Sequence, residues 1–270
     1  MQRCLAIFLL CLPLIGHAEL EQPLIIFVSI PPQQYLVQRI GADRVQVNVM
    51  LKPGQTPETY DPGPKQIALL AAAQIYFRIG VPFERHWMPM LAAQNKTMLV
   101  VDCCTQLVKD GDPHIWTDPN NAKIIAGQIK DILSDRDPDG APFYGANYQS
   151  LIVDLDRLDR DIHALLQQRR TDYFIVSHGG WKYFADAYGL RQMALDAYGR
   201  EKGPRGLAEM VDLAKREDIN KIFIQTQHPS GTAYTLAKEI HAQAVLIDNL
   251  NENYIDNLYK VSRLIAEAVR

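Results

Sequence analysis

Short apolar runs rich in β-branched residues alternate with helical patterns along the chain, and this alternation is the strongest constraint on the fold. The runs cover residues 24–30, 45–50, 75–80, 97–102, 172–178, 191–197, 221–227 and 244–250, four in each half. Helical patterns fill the gaps, and the clearest covers residues 204–217. Strands that alternate with helices at this spacing predict βαβ units and parallel sheets. We therefore predict an α/β fold of two lobes, each a four-stranded parallel sheet flanked by helices.

One long helix is predicted between the two lobes. Residues 146–170 contain neither Gly nor Pro, and apolar side chains such as Leu151, Leu155 and Leu158 recur at helical spacing. A helix of about 25 residues would be roughly 37 Å long, enough to run the length of a small two-lobed protein as a rigid connector. We place the N-terminal lobe at residues 19–140, the linking helix at 141–170 and the C-terminal lobe at 171–270.

The first eighteen residues predict a cleavable signal peptide. Arg3 precedes an apolar run that ends in the small residues Gly16 and Ala18, so cleavage is expected after Ala18. The run is too short and too interrupted for a membrane-spanning helix. Leu10 precedes Cys11, so the small residue that a lipid-attachment site needs is missing. We predict a soluble periplasmic protein.

Charge and cysteine content narrow the possible partners. The formal net charge is −3, without a basic stripe, so no nucleic-acid binding is expected. After cleavage of the signal peptide, Cys103 and Cys104 remain side by side. Export permits a disulfide, but a vicinal bridge closes a strained ring. A vicinal disulfide, free or intermolecular thiols, and metal ligation therefore all stay open.

Four chemically reactive side chains follow predicted strands at their carboxyl ends, where open parallel sheets bind ligands. Glu58 follows the second strand and His114 the fourth, whereas His178 and Asp248 end the fifth and eighth. Two imidazoles and two carboxylates can close a tetrahedral or slightly expanded site around a divalent ion. Each residue alone also has a plainer interpretation: a turn residue for His114, a buried hydrogen-bonded imidazole for His178, a helix N-cap for Asp248 and a solvated carboxylate for Glu58.

The order of four motifs resembles a known family. The motifs are PGQTPETYDPGPKQIALLAAAQIYFRIGVPFE, DPHIWTDPNNA, VSHGGWKYFADAYGL, and IFIQTQHPSGTAYTLAKEI followed by AVLIDNL. Over nearly all of residues 24–270 the chain is similar to the cluster A-I metal-binding solute receptors, the ZnuA/TroA-like periplasmic components of zinc and manganese ABC importers. This resemblance implies two α/β lobes, a rigid linking helix and a metal ion in the cleft between the lobes.

Carried over residue by residue, the resemblance implies that His114, His178 and Asp248 are the second, third and fourth metal ligands. The family's first ligand is usually the His of a Pro-His-Thr-Tyr-Glu-Pro segment, and here Glu58 stands at that position. Gln225 replaces a family Glu and is expected to hydrogen-bond a ligand. His228 follows the same strand, where it could replace Glu58 as a ligand or bind the metal in transit.

The function implied by the resemblance is capture of a divalent cation and its delivery to an ABC permease of the inner membrane with its ATPase. Zinc is favoured over manganese or iron(II) because intrinsic affinity favours zinc over manganese, and a monomer that is not an enzyme is expected. Two alternatives remain: a receptor for an organic solute or a metal complex, contacted by Gln225, His228 and Trp181, and a zinc metallohydrolase with Glu58 as general base. Because the metal needs neutral histidines, affinity should fall below about pH 6.5.

Overall fold

The computed structural model describes residues 22–103, 105–197 and 200–270. The predicted signal peptide at residues 1–18 and the side chain of Cys104 lie outside the described residues, so the alternatives for the cysteine pair stay open. Cys103 is fully buried. None of the helices within the described residues is both long and apolar enough to cross a membrane.

The first half of the chain forms a four-stranded sheet in which every pair of neighbours is parallel. The strands are β1 (Leu24–Val28), β2 (Val45–Val49), β3 (Ile75–Arg78) and β4 (Leu99–Asp102). Their order is β2-β1-β3-β4, and the register pairs Val28 with Val49 and Phe77. Parallel neighbours need crossover connections, which the helices between the strands supply.

The second half forms a five-stranded sheet. Its strands are β5 (Tyr173–His178), β6 (Arg191–Ala197), β7 (Arg200–Glu201), β8 (Lys221–Gln225) and β9 (Gln243–Ile247). The order is β7-β6-β5-β8-β9, and only the two-residue β7 is antiparallel to its neighbour. The four parallel strands match the prediction, whereas β7 was not predicted.

Nine α-helices are present in the described part of the chain. They are α1 (Pro31–Gly41), α2 (Pro64–Leu70), α3 (Pro82–Gln94), α4 (Pro119–Arg136), α5 (Ala141–Leu166), α6 (Lys182–Ala187), α7 (Pro204–Arg216), α8 (Gly231–Glu239) and α9 (Tyr254–Val269). Proline is the first residue of α1, α2, α3, α4 and α7. Its fixed φ suits this position, and the N–H that it lacks would have no partner inside the helix.

The linking helix α5 is present with 26 residues. Its buried side chains are Tyr144, Leu151, Leu155, Leu158, Ile162 and Leu166. They lie on one face, which packs against α1, α4 and α9. The helix therefore contacts elements of both halves, and the predicted fold class is confirmed. The domain boundaries remain a prediction.

Candidate metal centre

Three of the four predicted metal ligands lie together at the carboxyl ends of their strands. Glu58 lies between β2 and α2, His114 lies between β4 and α4, and His178 is the last residue of β5. Each offers one donor atom, and these atoms lie within 4.8 Å of one another. We call these residues the inner cluster. They line a cavity of about 450 Å³ together with Gly80, Pro82, Arg85, Asp110, Gly111 and Pro113.

His114 is held by a buried carboxylate two residues before it. Oδ1 of Asp112 accepts hydrogen bonds from the His114 backbone N–H at 3.0 Å and from its Nδ1 at 2.7 Å. A carboxylate at Nδ1 favours the tautomer that carries the proton there and leaves the Nε2 lone pair free for a metal ion. Asp112 is 1% exposed, so water hardly competes for this bond.

Gly180 permits the close approach of the chain to His114. A Cβ atom at residue 180 would lie 3.3 Å from Nε2 of His114 and 2.3 Å from Nδ2 of Asn249. Any larger residue would therefore displace one of these side chains. The glycine after the His178 strand is thus a steric requirement of the site.

His178 presents a buried nitrogen that has no hydrogen-bond partner among the described residues. Its Nδ1 lies 3.1 Å from Oδ2 of Asp196, the residue beside it in the register of β5 and β6, whereas the buried Nε2 has no hydrogen bond within the part of the chain that the structure describes. An unsatisfied buried polar atom costs about 1–3 kcal/mol, and a ligand at that atom removes the cost. Burial lowers the pKa of His178, and the nearby His228 and His114 lower it further. The neutral imidazole that a metal requires is therefore favoured.

Glu58 is the most accessible member of the inner cluster. Its side chain is 25% exposed, and Oε1 lies 3.8 Å from Nε2 of His178. Its other oxygen, Oε2, lies 3.3 Å from Nε2 of His228 and accepts a hydrogen bond from the hydroxyl of Thr56. Burial raises the pKa of Glu58, but hydrogen bonds from His228 and Thr56 outweigh it and hold the pKa at about 2. The carboxylate is therefore ionised at any physiological pH.

Asp248 is not part of the inner cluster. Its Oδ1 accepts hydrogen bonds from Nε2 of Gln227 and from the backbone N–H of Leu250, both at 2.8 Å. The residue lines a different cavity, together with residues such as Lys52 and Asn251. Both bonds are accepted by Oδ1, and its assignment as the fourth ligand stays a prediction.

The side chain of Gln225 is engaged within the protein. Its Nε2 donates to Oδ1 of Asn249 at 2.5 Å and to Oε1 of Gln227 at 2.8 Å, and its Oε1 accepts from Nε1 of Trp181 at 3.3 Å. Gln225 is 2% exposed. The expected hydrogen bond from Gln225 to a bound ligand therefore stays a prediction that would require this network to rearrange.

Sequence reasoning missed the carboxylates that orient the histidines. Asp112 could have been found from the spacing in DPH, where an Asp two residues before a His can reach its Nδ1. Asp196 could not, because its contact with His178 depends on the register of β6 beside β5. These two residues supply hydrogen bonds of the kind that fix the ring orientation of histidines in metal sites.

Comparison with known proteins identifies the family. Residues 26–268 match the family model described as "ZnuA: Zinc-uptake complex component A periplasmic". A "Putative metal-binding protein" of Chlamydia muridarum is 26% identical over 90% of each chain. The "Manganese-binding lipoprotein MntA" of Halalkalibacterium halodurans is 27% identical over 89% of this chain and 87% of its own.

Solved structures agree with this match. A crystal structure of ZnuA superposes with a TM-score of 0.86 at 34% identity and covers 92% of this chain and all of its own. A zinc-bound deletion mutant of ZnuA gives a TM-score of 0.87 at 35% identity, over 92% of this chain and 98% of its own. The resemblance inferred from the four motifs is confirmed: the chain belongs to the ZnuA family of periplasmic zinc-uptake components.

Proposed function

We propose that this protein is the solute-binding component of a metal ABC importer and that it captures a divalent cation at Glu58, His114 and His178. The observation that carries the proposal is the convergence of these three donors within 4.8 Å, two of them on buried histidines. Nε2 of His178 is buried and forms no hydrogen bond with residues 22–103, 105–197 or 200–270, as expected for an atom whose partner is the transported ion.

The donor set favours zinc as the cargo. Two imidazole nitrogens and one carboxylate oxygen suit zinc, manganese and iron(II), and the intrinsic affinity of such a site is higher for zinc than for the other two. Manganese and iron(II) are the alternatives, and the relative from Halalkalibacterium halodurans carries a manganese-binding name. Three protein donors leave a fourth position on a tetrahedral ion, which the predicted ligand Asp248, another anion or water would fill.

The ion would join the two halves of the molecule. Glu58 and His114 come from the first half and His178 from the second, so coordination favours the arrangement in which the halves are closed on each other. This arrangement would then dock on a permease of the inner membrane, with its ATPase. We also propose that the protein reaches the periplasm through a cleavable signal peptide, acts as a monomer, binds no nucleic acid and catalyses no reaction.

Elemental analysis tests the proposed site. The protein is purified without a chelator, and its metal content is measured by inductively coupled plasma mass spectrometry beside Glu58→Ala, His114→Ala and His178→Ala. We expect about one zinc per wild-type chain and loss of most of it in both histidine variants, because each supplies a buried donor.

A matched control is His163→Ala, because His163 lies on α5 with 55% of its side chain exposed. Metal content should be unchanged in this variant. Full retention of metal in His178→Ala, with the fold intact by circular dichroism, would remove the inner cluster as the binding site. Retention in Glu58→Ala alone would remove only that ligand.

A further inference from the structure

His228 lines a further cavity, whose lining includes none of the three residues of the inner cluster. It has a volume of about 310 Å³, and its lining consists of Ser177, Asp196, Glu201, Gln227, His228, Pro229 and Ser230. We call this cavity the vestibule. It contains two carboxylates, Asp196 and Glu201, and one imidazole, His228. An acidic cavity of this kind concentrates cations and raises their association rate.

His228 connects the vestibule to the inner cluster. Its Nε2 lies 3.3 Å from Oε2 of Glu58 and 3.0 Å from the hydroxyl of Thr56. Its side chain is 23% exposed, whereas that of His178 is 3% exposed. Accessibility therefore decreases from His228 to His178.

The two imidazoles are stacked and do not converge. The ring centroids of His178 and His228 lie 3.9 Å apart, and the ring planes differ by 4°. A zinc–nitrogen bond of about 2.1 Å lies close to the plane of its imidazole ring, so two parallel stacked rings cannot both direct a lone pair at one ion. Without rotation of a ring, His228 and His178 therefore bind an ion in succession.

Glu58 offers one oxygen to each of these positions. Its Oε2 faces His228, and its Oε1 faces His178 at 3.8 Å. We infer that the vestibule is the access route of the cation and that His228 and Glu58 form a transient first position, from which the ion passes to Glu58, His178 and His114. This inference rests on the proposed metal-binding function.

The stepwise route has a chemical reason. A hydrated divalent ion must lose its water ligands before it enters a site made of buried donors. At the partly exposed position of His228 and Glu58 the ion keeps part of its water shell while two protein donors replace the rest. Glu58 then stays bound to the ion while His178 replaces His228, so one protein carboxylate remains a ligand throughout the transfer.

A transient ligand has a kinetic signature that differs from that of a permanent one. Because the ion crosses the same position when it enters and when it leaves, removal of His228 slows both steps by the same factor. The equilibrium dissociation constant then hardly changes. Removal of a permanent ligand instead accelerates dissociation and weakens binding, as most changes in a binding site do.

Stopped-flow measurements with zinc test the inference. The indole of Trp116 lies 5.3 Å from the His114 ring, so tryptophan fluorescence reports zinc binding, and a competing chelator gives the dissociation rate. His228→Phe keeps a ring that can stack on His178 but has no nitrogen donor, and His228→Gln is a second variant in case the first fails to fold. We expect kon and koff each to fall about tenfold, with Kd within about twofold of wild type.

A pair of carboxylate variants locates the route. Glu201 lies in the vestibule, and Asp110 lies at the opening of the inner cavity with 80% of its side chain exposed. Glu201→Gln should lower kon at low ionic strength, whereas Asp110→Asn should not. Asn tolerates the positive φ of 54° at residue 110.

Three results would overturn the inference. The first is unchanged rates in both His228 variants, and the second is a Kd raised tenfold in these variants with kon unchanged. The third is a fall of kon in Asp110→Asn without a fall of kon in Glu201→Gln. Failure of the proposed function gives a different result. In that case His178→Ala binds zinc as tightly as wild type, whatever the outcome with the His228 variants.

Discussion

At the scale of single residues, the hydrogen bond between Asp112 and His114 makes a sharp prediction. Asp112→Asn removes the charge that stabilises the Nδ1–H tautomer of His114 and can place an amide N–H against that ring nitrogen. Loss of such a partner costs about 10–100-fold in metal affinity. We therefore expect a zinc Kd higher by this factor in a competition titration.

The matched control for Asp112→Asn is Asp131→Asn, an equal change on α4, outside the metal cavity, at a position that is 67% exposed. Its zinc Kd should equal that of wild type. Equal affinity in the two variants would show that the bond from Asp112 does not tune the metal site.

The pH dependence of binding follows from the inner cluster. Burial lowers the pKa of His178 from its usual 6.5, so protons compete with the metal for Nε2 only below that lowered value. Glu58, with a pKa of about 2, stays ionised throughout. We expect the loss of zinc affinity due to His178 to begin below about pH 6.5, and none from Glu58 until the pH approaches 2.

Competition titrations between about pH 7.5 and 4.5 check this dependence, with His178→Ala measured beside the wild type. An affinity that is constant over the whole range would contradict ligation by histidine. A loss whose midpoint lies above 6.5 would contradict the effect of burial on His178.

The residues of the inner cluster could be predicted because the carboxyl ends of parallel strands meet at one edge. Asp248 shows the limit of this rule, because it also follows a strand but lies outside the inner cluster. It follows β9, which is separated from β5 by β8, and two strand spacings amount to about 9.6 Å. A sequence shows where a strand ends, but not how far that strand lies from its partner in the sheet.

At the scale of helices and strands, α5 tests whether one buried face stabilises the fold. Leu155 is completely buried, whereas Val153, two residues earlier on the same helix, is 55% exposed. Leu155→Ala should lower the free energy of unfolding by about 2–5 kcal/mol through the lost transfer energy and the cavity left behind. Val153→Ala should change it by less than about 0.5 kcal/mol.

Urea denaturation followed by circular dichroism measures both variants of α5. The m-value should stay constant, so that the change in midpoint reports stability alone. Equal destabilisation in the two variants would contradict the assignment of the buried face.

All eight predicted strands are present, and their ends differ from the prediction by three residues or fewer. The differences have local causes. The chain leaves the first sheet after Val28 because the Ser29 N–H bonds to Oε1 of Gln33 in α1. Strand β8 ends at Gln225 because its carbonyl accepts the His228 N–H in a turn. Such competing hydrogen bonds are invisible in a pattern of apolar residues.

At the scale of the whole molecule, the two halves are more tightly joined than the prediction of two lobes implied. Nε1 of Trp116 donates to the carbonyl of Asn249 at 2.6 Å, and the hydroxyl of Tyr183 donates to the carbonyl of Asp112 at 3.0 Å. One hydrophobic core also contains side chains of both halves, such as Phe27 and Phe174. These contacts hold the His114 loop against the second half, so two of the proposed metal donors, His114 and His178, are close together before an ion binds.

Zinc should therefore stabilise the molecule as a single unit. A ligand that binds only the folded state, at 100 times its Kd, adds about 2.7 kcal/mol to the free energy of unfolding. For a chain of this length each kcal/mol raises the Tm by about 2–4 °C, so we expect a rise of about 5–11 °C. Because the shared core couples the halves, calorimetry should show one unfolding transition, and zinc should shift the whole of it to higher temperature.

The His178→Ala variant should show almost none of this shift, and addition of a chelator should return the wild type to its apo Tm. Two transitions, of which zinc moves only one, would mean that the ion is held within one half and that the contacts between Trp116 and Asn249 do not couple them.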